Sequence, residues 1–221
     1  VSSIILTPYH HAAFAPSVLP ADDFWPNIEK KCNDLGIVLI LDDVRAGGRL
    51  HEYGSHRYFN FSPDSSIYSK ALGNGYAISA CVGKEFLRNA SKEVFLTGSC
   101  WNDAVAMAAA LKSIEISSSQ RVAESVLTKG DYFCQGLQNR AKKYGFPLCM
   151  TGPSSMPYPW FEGDENLFRI QKFCEFAAKR CLYFHPHHNW FISNAHQYSD
   201  LDQALELADE AMKDLSEFER T

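Results

Sequence analysis

The run Ile37-Val38-Leu39-Ile40-Leu41 ends abruptly on two carboxylates, Asp42 and Asp43. Five aliphatic residues without alternation fit a strand covered on both faces, as a parallel sheet inside an α/β domain requires. Ile4–Pro8 is a second aliphatic run bounded by turn residues. Between the two, Asp22–Leu35 sets Phe24, Ile28, Cys32 and Leu35 at helical spacing. It stops at Gly36, a residue suited to the left-handed position after a helix. Together they predict one strand–helix–strand unit with a right-handed crossover.

The pattern continues downstream. Ser66–Ser69 and Ile78–Val82 read as short strands around a Gly73-Asn74-Gly75 turn. Asp103–Ile116 is Ala-rich and helical, with Val105, Ala108, Ala109 and Leu111 apolar. Val122–Tyr144 carries Val122, Val126, Phe133 and Leu137 on one stripe. Near Gly145 the composition changes. Phe146–Thr151 and Met156–Phe161 predict strands about a Gly-Pro-Ser-Ser turn, and Trp190–Ser193 a further short one. Asn166–Cys181 and Leu201–Leu215 predict amphipathic helices, with Asp200 near the start of the second. The expected organisation is an α/β piece over residues 1–140 and a smaller α+β piece over residues 141–221. No internal repeat is visible.

Bulk properties exclude several function classes. A net charge of −5, with Lys and Arg scattered, leaves no electrostatic footprint for nucleic acid. The longest aliphatic run is far short of the roughly 20 residues that cross a bilayer. Seven cysteines form no CxxC pair, which favours reduced, mostly buried thiols and a cytoplasmic setting. The chain lacks an initiator Met and opens inside an apparent strand, so a fragment is expected.

Three features in order carry chemistry. The first is the buried strand ending at Asp42-Asp43. The second is Tyr68-Ser69-Lys70-Ala71-Leu72-Gly73-Asn74-Gly75, a strand end with a lysine and a glycine-rich turn. The third is Leu96-Thr97-Gly98-Ser99, a hydroxyl-rich turn before the Ala-rich helix. In an open parallel sheet, ligands bind beyond the carboxyl ends of the strands. An acid there needs a cationic partner, and a protonated pyridine nitrogen is one. A desolvated amine among other cations loses its proton more readily and then attacks an aldehyde. A Gly-Ser turn offers an N–H and a hydroxyl to phosphate oxygens. Taken singly, these residues are more often a cap or salt-bridge site, a surface lysine and a plain turn.

These residues resemble the class III aminotransferases, pyridoxal-phosphate enzymes of fold type I. Leu39–Arg49 (LILDDVRAGGR) resembles the family's strand-and-loop signature, and Pro63–Gly75 (PDSSIYSKALGNG) its lysine motif. Gly98–Leu111 (GSCWNDAVAMAAAL) resembles its phosphate turn and helix. His185–Asp202 (HPHHNWFISNAHQYSDLD) resembles the C-terminal segment of members close to glutamate-1-semialdehyde aminomutase. The resemblance implies an α/β, three-layer PLP-dependent transferase fold, here the C-terminal portion of its large domain plus a small α+β domain. It implies pyridoxal 5'-phosphate as cofactor and a Schiff-base role for Lys70, which also shuttles a proton. Asp42 would pair with the pyridine nitrogen and Val44 would pack on the ring. Ser99 would reach the phosphate of a neighbouring subunit's cofactor, which implies a homodimer with shared active sites. The expected reaction moves an amino group between an amine or amino acid and a carbonyl compound.

The departures from the pattern are Asp43 for the usual Glu, Ala46 for Thr or Ser, and Thr7-Pro8 for Glu-Pro. The family's N-terminal stretch, with a Gly-Ser phosphate turn and a ring-stacking aromatic, has no counterpart upstream of Asp42. A truncated, catalytically incompetent remnant serving in dimerisation or regulation is therefore the alternative, and a decarboxylase or racemase on the same scaffold a third. No metal site is expected: His185, His187 and His188 read as a loop with polar contacts, as do His10 and His11. Trp101 reads as core packing or a subunit contact. Arg45 and Arg49 lie near the site in sequence and are as readily structural.

Overall fold

The computed structural model describes residues 1–11 and 13–220. Its elements are β1 (Ser3–Leu6), α1 (Phe24–Leu35), β2 (Val38–Asp42), α2 (Ser55–Tyr58), β3 (Ser65–Tyr68), β4 (Ala80–Gly83), α3 (Arg88–Glu93), α4 (Ala104–Ser119), α5 (Val122–Lys143), β5 (Leu148–Thr151), β6 (Tyr158–Phe161), α6 (Phe168–Ala178) and α7 (Tyr198–Phe218). They form two compact units. The first comprises Val1–Pro8 and Pro20–Glu124, the second Tyr9–Leu19 and Ser125–Thr221. The boundary expected near residue 140 falls inside α5, and an eleven-residue segment from the N-terminal part belongs to the second unit. Composition cannot reveal a chain that leaves one unit and returns to it.

The first unit is a four-stranded sheet in the order β1-β2-β3-β4. β1, β2 and β3 run parallel, with Ile5 opposite Ile40 and Asp42 opposite Ile67. β4 is antiparallel to β3, with Tyr68 opposite Ala80. α1 is the crossover between β1 and β2, and it ends as expected. Gly36 takes φ 64°, and the N–H groups of Gly36 and Ile37 return to the carbonyls of Asn33 and Cys32.

Two-sided burial of β2 is met on one face. Leu39 and Leu41 are buried, whereas Val38, Ile40 and Asp42 are half-buried. The buried face packs on Trp25 and Cys32 of α1 and on Phe61, with Ile4, Leu6 and Ile28 at its margin. Trp25 stacks on Phe61 with ring centroids 4.0 Å apart and planes 5° from parallel, and its indole N–H donates to the Pro8 carbonyl at 2.9 Å. Asp64 joins three strands. Its Oδ2 accepts from the Leu39 N–H at 3.0 Å, its Oδ1 meets Lys84 Nζ at 3.0 Å, and its backbone pairs with Leu39 and Lys84.

α4 is apolar around most of its circumference. Ala106 and Ala110 are buried, while Val105, Met107, Leu111 and Ile114 are exposed. Its start is fixed by Asp103, whose carboxylate accepts from the Val105 and Ala106 N–H groups at 3.0 and 3.4 Å. Asp103→Ala should therefore lower stability by about 1 kcal/mol. Urea unfolding of the purified protein checks this, and an unchanged midpoint would deny the cap any energetic weight.

The second unit packs α5, α6 and α7 with the β5–β6 hairpin. β5 and β6 pair antiparallel, with Thr151 opposite Tyr158. The α5 stripe is buried as predicted at Val126, Phe133 and Leu137, joined by Ala141. α7 begins three residues earlier than its apolar spacing suggested, because Gln197 and Asp200 cap each other's backbone in a reciprocal box. Phe184 stacks on Trp190 at 4.1 Å. Trp190–Ser193 is extended without forming a strand. Its Trp190 and Ile192 N–H groups donate to the carbonyls of Pro157 and Ser155, and Pro157 has no N–H to return. Segment 9–19 lies on this unit through Ser17 N–H to Thr151 Oγ1 at 3.0 Å and Phe14 N–H to the His187 carbonyl at 3.3 Å.

Candidate active site

The register sets the site. β2 and β3 are adjacent and parallel, so their carboxyl ends emerge at the same edge of the sheet. Asp42 is the last residue of β2, and Lys70 follows the last residue of β3 by two. The sheet therefore brings the acid and the amine to neighbouring strand ends, as ligand sites of open α/β sheets require.

Lys70 is exposed and opens a single 3-10 turn, Lys70–Leu72. Its φ is +47°, a left-handed conformation that costs a non-glycine residue about 1–3 kcal/mol. Several contacts hold it there. Ser69 Oγ donates to the Ile78 carbonyl at 2.9 Å, and Ser113 Oγ of α4 donates to the Ala71 carbonyl at 3.0 Å. The Asn74 N–H closes on the Lys70 carbonyl at 3.0 Å. The glycine requirement at Gly73 is internal to this turn, because a side-chain carbon there would lie 2.2 Å from the Tyr76 carbonyl oxygen.

Asp42 is half-buried, and its Oδ1 accepts from the Val44 N–H at 3.2 Å. Val44 is half-buried beside it. Asp43 points elsewhere: it is 1% exposed, and its Oδ2 accepts from the Ser55 N–H at 2.8 Å. Burial pushes its carboxyl above the ordinary carboxylate range, and the neighbouring Asp42 charge adds to the shift. The paired acids thus differ, one at the strand end and half-open, the other inside.

Ser99 is exposed in the loop before α4. The start of α4 lies roughly 15 Å along the helix from Ser113, the residue that touches the lysine turn. Nothing in the described residues ties Ser99 to the turn that carries Lys70. Trp101 is 57% exposed, which removes core packing within this chain as its explanation.

The histidines do not converge. The His185 ring centroid lies 6.2 Å from that of His187 and 6.0 Å from that of His188, both edge-on. Among the described residues no three His, Cys, Asp or Glu side chains gather as a metal would need. Among the same residues no helix is long and apolar enough to cross a membrane. All seven cysteines are free thiols, three buried, one intermediate and three exposed, so burial is less general than expected. Burial pushes the Cys134 and Cys174 thiols up to about 12, which keeps them inert as nucleophiles.

A sheet whose adjacent parallel strands end on an acid and near a strained lysine defines an α/β class with an amine-bearing site. The family described as aminotransferase class-III matches residues 1–208, and the chain belongs to it. The aminopentol aminotransferase of Sphingopyxis macrogoltabida is 35% identical over 212 residues, covering 96% of this chain and 50% of that protein. The 3-aminobutyryl-CoA aminotransferase of Cloacimonas acidaminovorans is 29% identical, covering 97% of this chain and 53% of its own length. A glutamate-1-semialdehyde 2,1-aminomutase of Syntrophobacter fumaroxidans is 28% identical. Among solved structures, the PLP internal aldimine form of the FumI protein of Sphingopyxis sp. MTA144 superposes with a TM-score of 0.94 at 33% identity, covering 96% of this chain and 51% of that one. Plasmodium falciparum ornithine delta-aminotransferase reaches 0.82 at 18% identity, a likeness of fold. The architecture is thus that of the PLP-dependent transferases, and the chain spans about half the length of the curated relatives it matches.

Proposed function

We propose that the complete protein is a pyridoxal-phosphate-dependent aminotransferase or aminomutase, with Lys70 as the residue that holds the cofactor. The observation that carries this reading is the placement of Asp42 and Lys70 on adjacent parallel strand ends, with Lys70 in a strained left-handed conformation. Strain of this kind clusters at active sites and ligand clamps, and here it falls on the amine that follows β3.

The residues present fit the cofactor. Asp42 offers a half-buried carboxylate at the strand end, able to face a protonated ring nitrogen. Val44 supplies an apolar surface beside it for the flat ring. When bound, pyridoxal phosphate supplies an aldehyde that takes up amines and a cationic ring that draws electrons from the substrate carbon. Lys70 Nζ would hold the cofactor, and as a free amine it would take a proton from the substrate carbon and return it. The substrates on this reading are a small-molecule amine or amino acid and a carbonyl acceptor. Nucleic acid and membrane are not partners.

Ser99 belongs to the neighbouring subunit's site in this reading, which makes the protein a homodimer with shared active sites. Its distance along α4 from the lysine turn supports that assignment. So do the exposed apolar side chains on either side of it in the chain, with Phe95 88% and Trp101 57% exposed, which ask for cover. The cytoplasmic setting rests on the free thiols.

Covalent labelling tests the proposal. The full-length protein, loaded with pyridoxal phosphate and reduced with borohydride, should carry the pyridoxyl group on the peptide containing Lys70. Label on another lysine, or none, would overturn the assignment.

A further inference from the structure

Asp43, His56 and Tyr68 come from the end of β2, from α2 and from β3, and all three converge over Gly54. A side-chain carbon at Gly54 would lie 2.5 Å from the Tyr68 hydroxyl, 2.9 Å from Asp43 Oδ2 and 3.0 Å from His56 Nδ1. Gly54 also holds φ +107°, which L side chains rarely adopt. The three polar atoms therefore ring one small space that only glycine leaves open. The ring of Tyr68 spans the loop on its other side, where a side-chain carbon at Gly47 would meet Tyr68 Cδ1 at 2.7 Å. Its hydroxyl also reaches the Tyr53 carbonyl at 3.4 Å. Asp43 Oδ1 and His56 Nδ1 are buried and make no hydrogen bond among the described residues. Two buried polar atoms of this kind cost free energy unless groups nearby serve them.

We propose that Asp43, Tyr68 and His56 form a positioning clamp that holds the loop after β2 against the end of β3, and so fixes Asp42 and Lys70 relative to each other. The consequence at Asp42 and Lys70 rests on the pyridoxal-phosphate reading above; the clamp itself does not. The mechanical link is short. Asp43 is the next residue after Asp42, and Tyr68 lies two residues before Lys70, so movement of either clamp residue moves an active-site residue.

The charged neighbours agree with this arrangement. Burial and then Asp42 raise Asp43, opposed by its bonds to Ser55. Burial raises Tyr68, with Asp43 adding to it and Ser66 opposing. Burial lowers His56, helped by Arg57 and His51. A carboxyl raised in the folded state keeps its proton after the unfolded chain has lost it. The contribution of Asp43 to stability therefore falls as pH climbs from the ordinary carboxylate range through its raised value. Asparagine at 43 removes that dependence, so the melting advantage of the wild type over Asp43→Asn should shrink as pH rises through that window.

The full-length protein with Asp43→Asn, Tyr68→Phe and both together tests the clamp. Tyr68→Phe keeps the ring over Gly47 and removes only the hydroxyl. Each single variant should lower Tm by about 2–4 °C, and the pair by no more than the larger single loss, as residues in one network do. With pyridoxal phosphate added, the pH midpoint of the visible band of the lysine-bound cofactor should move by about one unit in each single variant and no further in the pair. Additive Tm losses with unmoved midpoints overturn the clamp and leave the cofactor reading standing. Coupled losses with unmoved midpoints overturn its positioning role. If the wild type gives no visible band, the cofactor reading fails and the Tm cycle alone decides: sub-additive losses uphold the clamp, additive losses overturn it.

Discussion

Lys70→Ala in the full-length protein should abolish covalent cofactor attachment and slow amino transfer by at least about a thousandfold at saturating substrate. No other amine in the described residues sits at the end of a strand adjacent to Asp42. Water in the vacated space can neither hold the cofactor nor carry the proton at the right atom. The fold should survive. Lys70 is exposed, and alanine meets the same left-handed penalty at φ +47°, so its turn keeps its strain and its bonds. Lys70→Arg should be as inactive, because a guanidinium keeps the charge and loses the nucleophile. Absorbance of the loaded protein, single-turnover rates and circular dichroism check the three parts. A variant that retains a borohydride-reducible cofactor and normal turnover would end the assignment.

Trp25→Ala should cost about 3–5 kcal/mol of stability, much of what a domain of ordinary stability possesses. Trp25 is 2% exposed at the centre of the core beneath the sheet. Its removal empties the space against Phe61, at 4.0 Å and nearly parallel, and leaves the Pro8 carbonyl without its indole donor. Alanine cannot fill that volume, and a packed interior relaxes only in part. Trp25→Phe separates the two effects. It keeps most of the ring packing and loses the hydrogen bond, so about 1–2 kcal/mol is expected. Urea unfolding of both variants measures the difference. Equal losses would mean that the hydrogen bond, rather than the buried volume, dominates.

Local patterns were legible where a single element carries its own signal. β2 was visible because unbroken aliphatic residues have no other economical home. The end of α1 was visible because Gly36 alone relieves the left-handed residue that closes a helix. Lys70 and Asp42 could be proposed as partners because both stood at the ends of strand-like runs. The α5 stripe was visible through its period.

Other features depended on contacts between distant residues. Val105 and Leu111 read as an apolar helix face, yet they are exposed in this chain, since periodicity says that a face is apolar and not what covers it. Trp190–Ser193 had the composition of a strand, but the absence of an N–H at Pro157 denied it a ladder. The membership of Tyr9–Leu19 in the second unit had no local mark at all. Asp43 read as the second of two carboxylates at a strand end, and its burial, its bond from Ser55 and its place over Gly54 distinguished it from Asp42.

By itself the sequence determined the parallel strand ending in an acid, the lysine turn after the next strand and the resemblance to class III aminotransferases, because each is written in consecutive residues. The register that sets Asp42 beside the end of β3, the left-handed backbone at Lys70 and the meeting of Asp43, His56 and Tyr68 over Gly54 were decided by tertiary structure. Strand pairing and close packing join residues far apart in the chain, and no local pattern encodes which of them will touch.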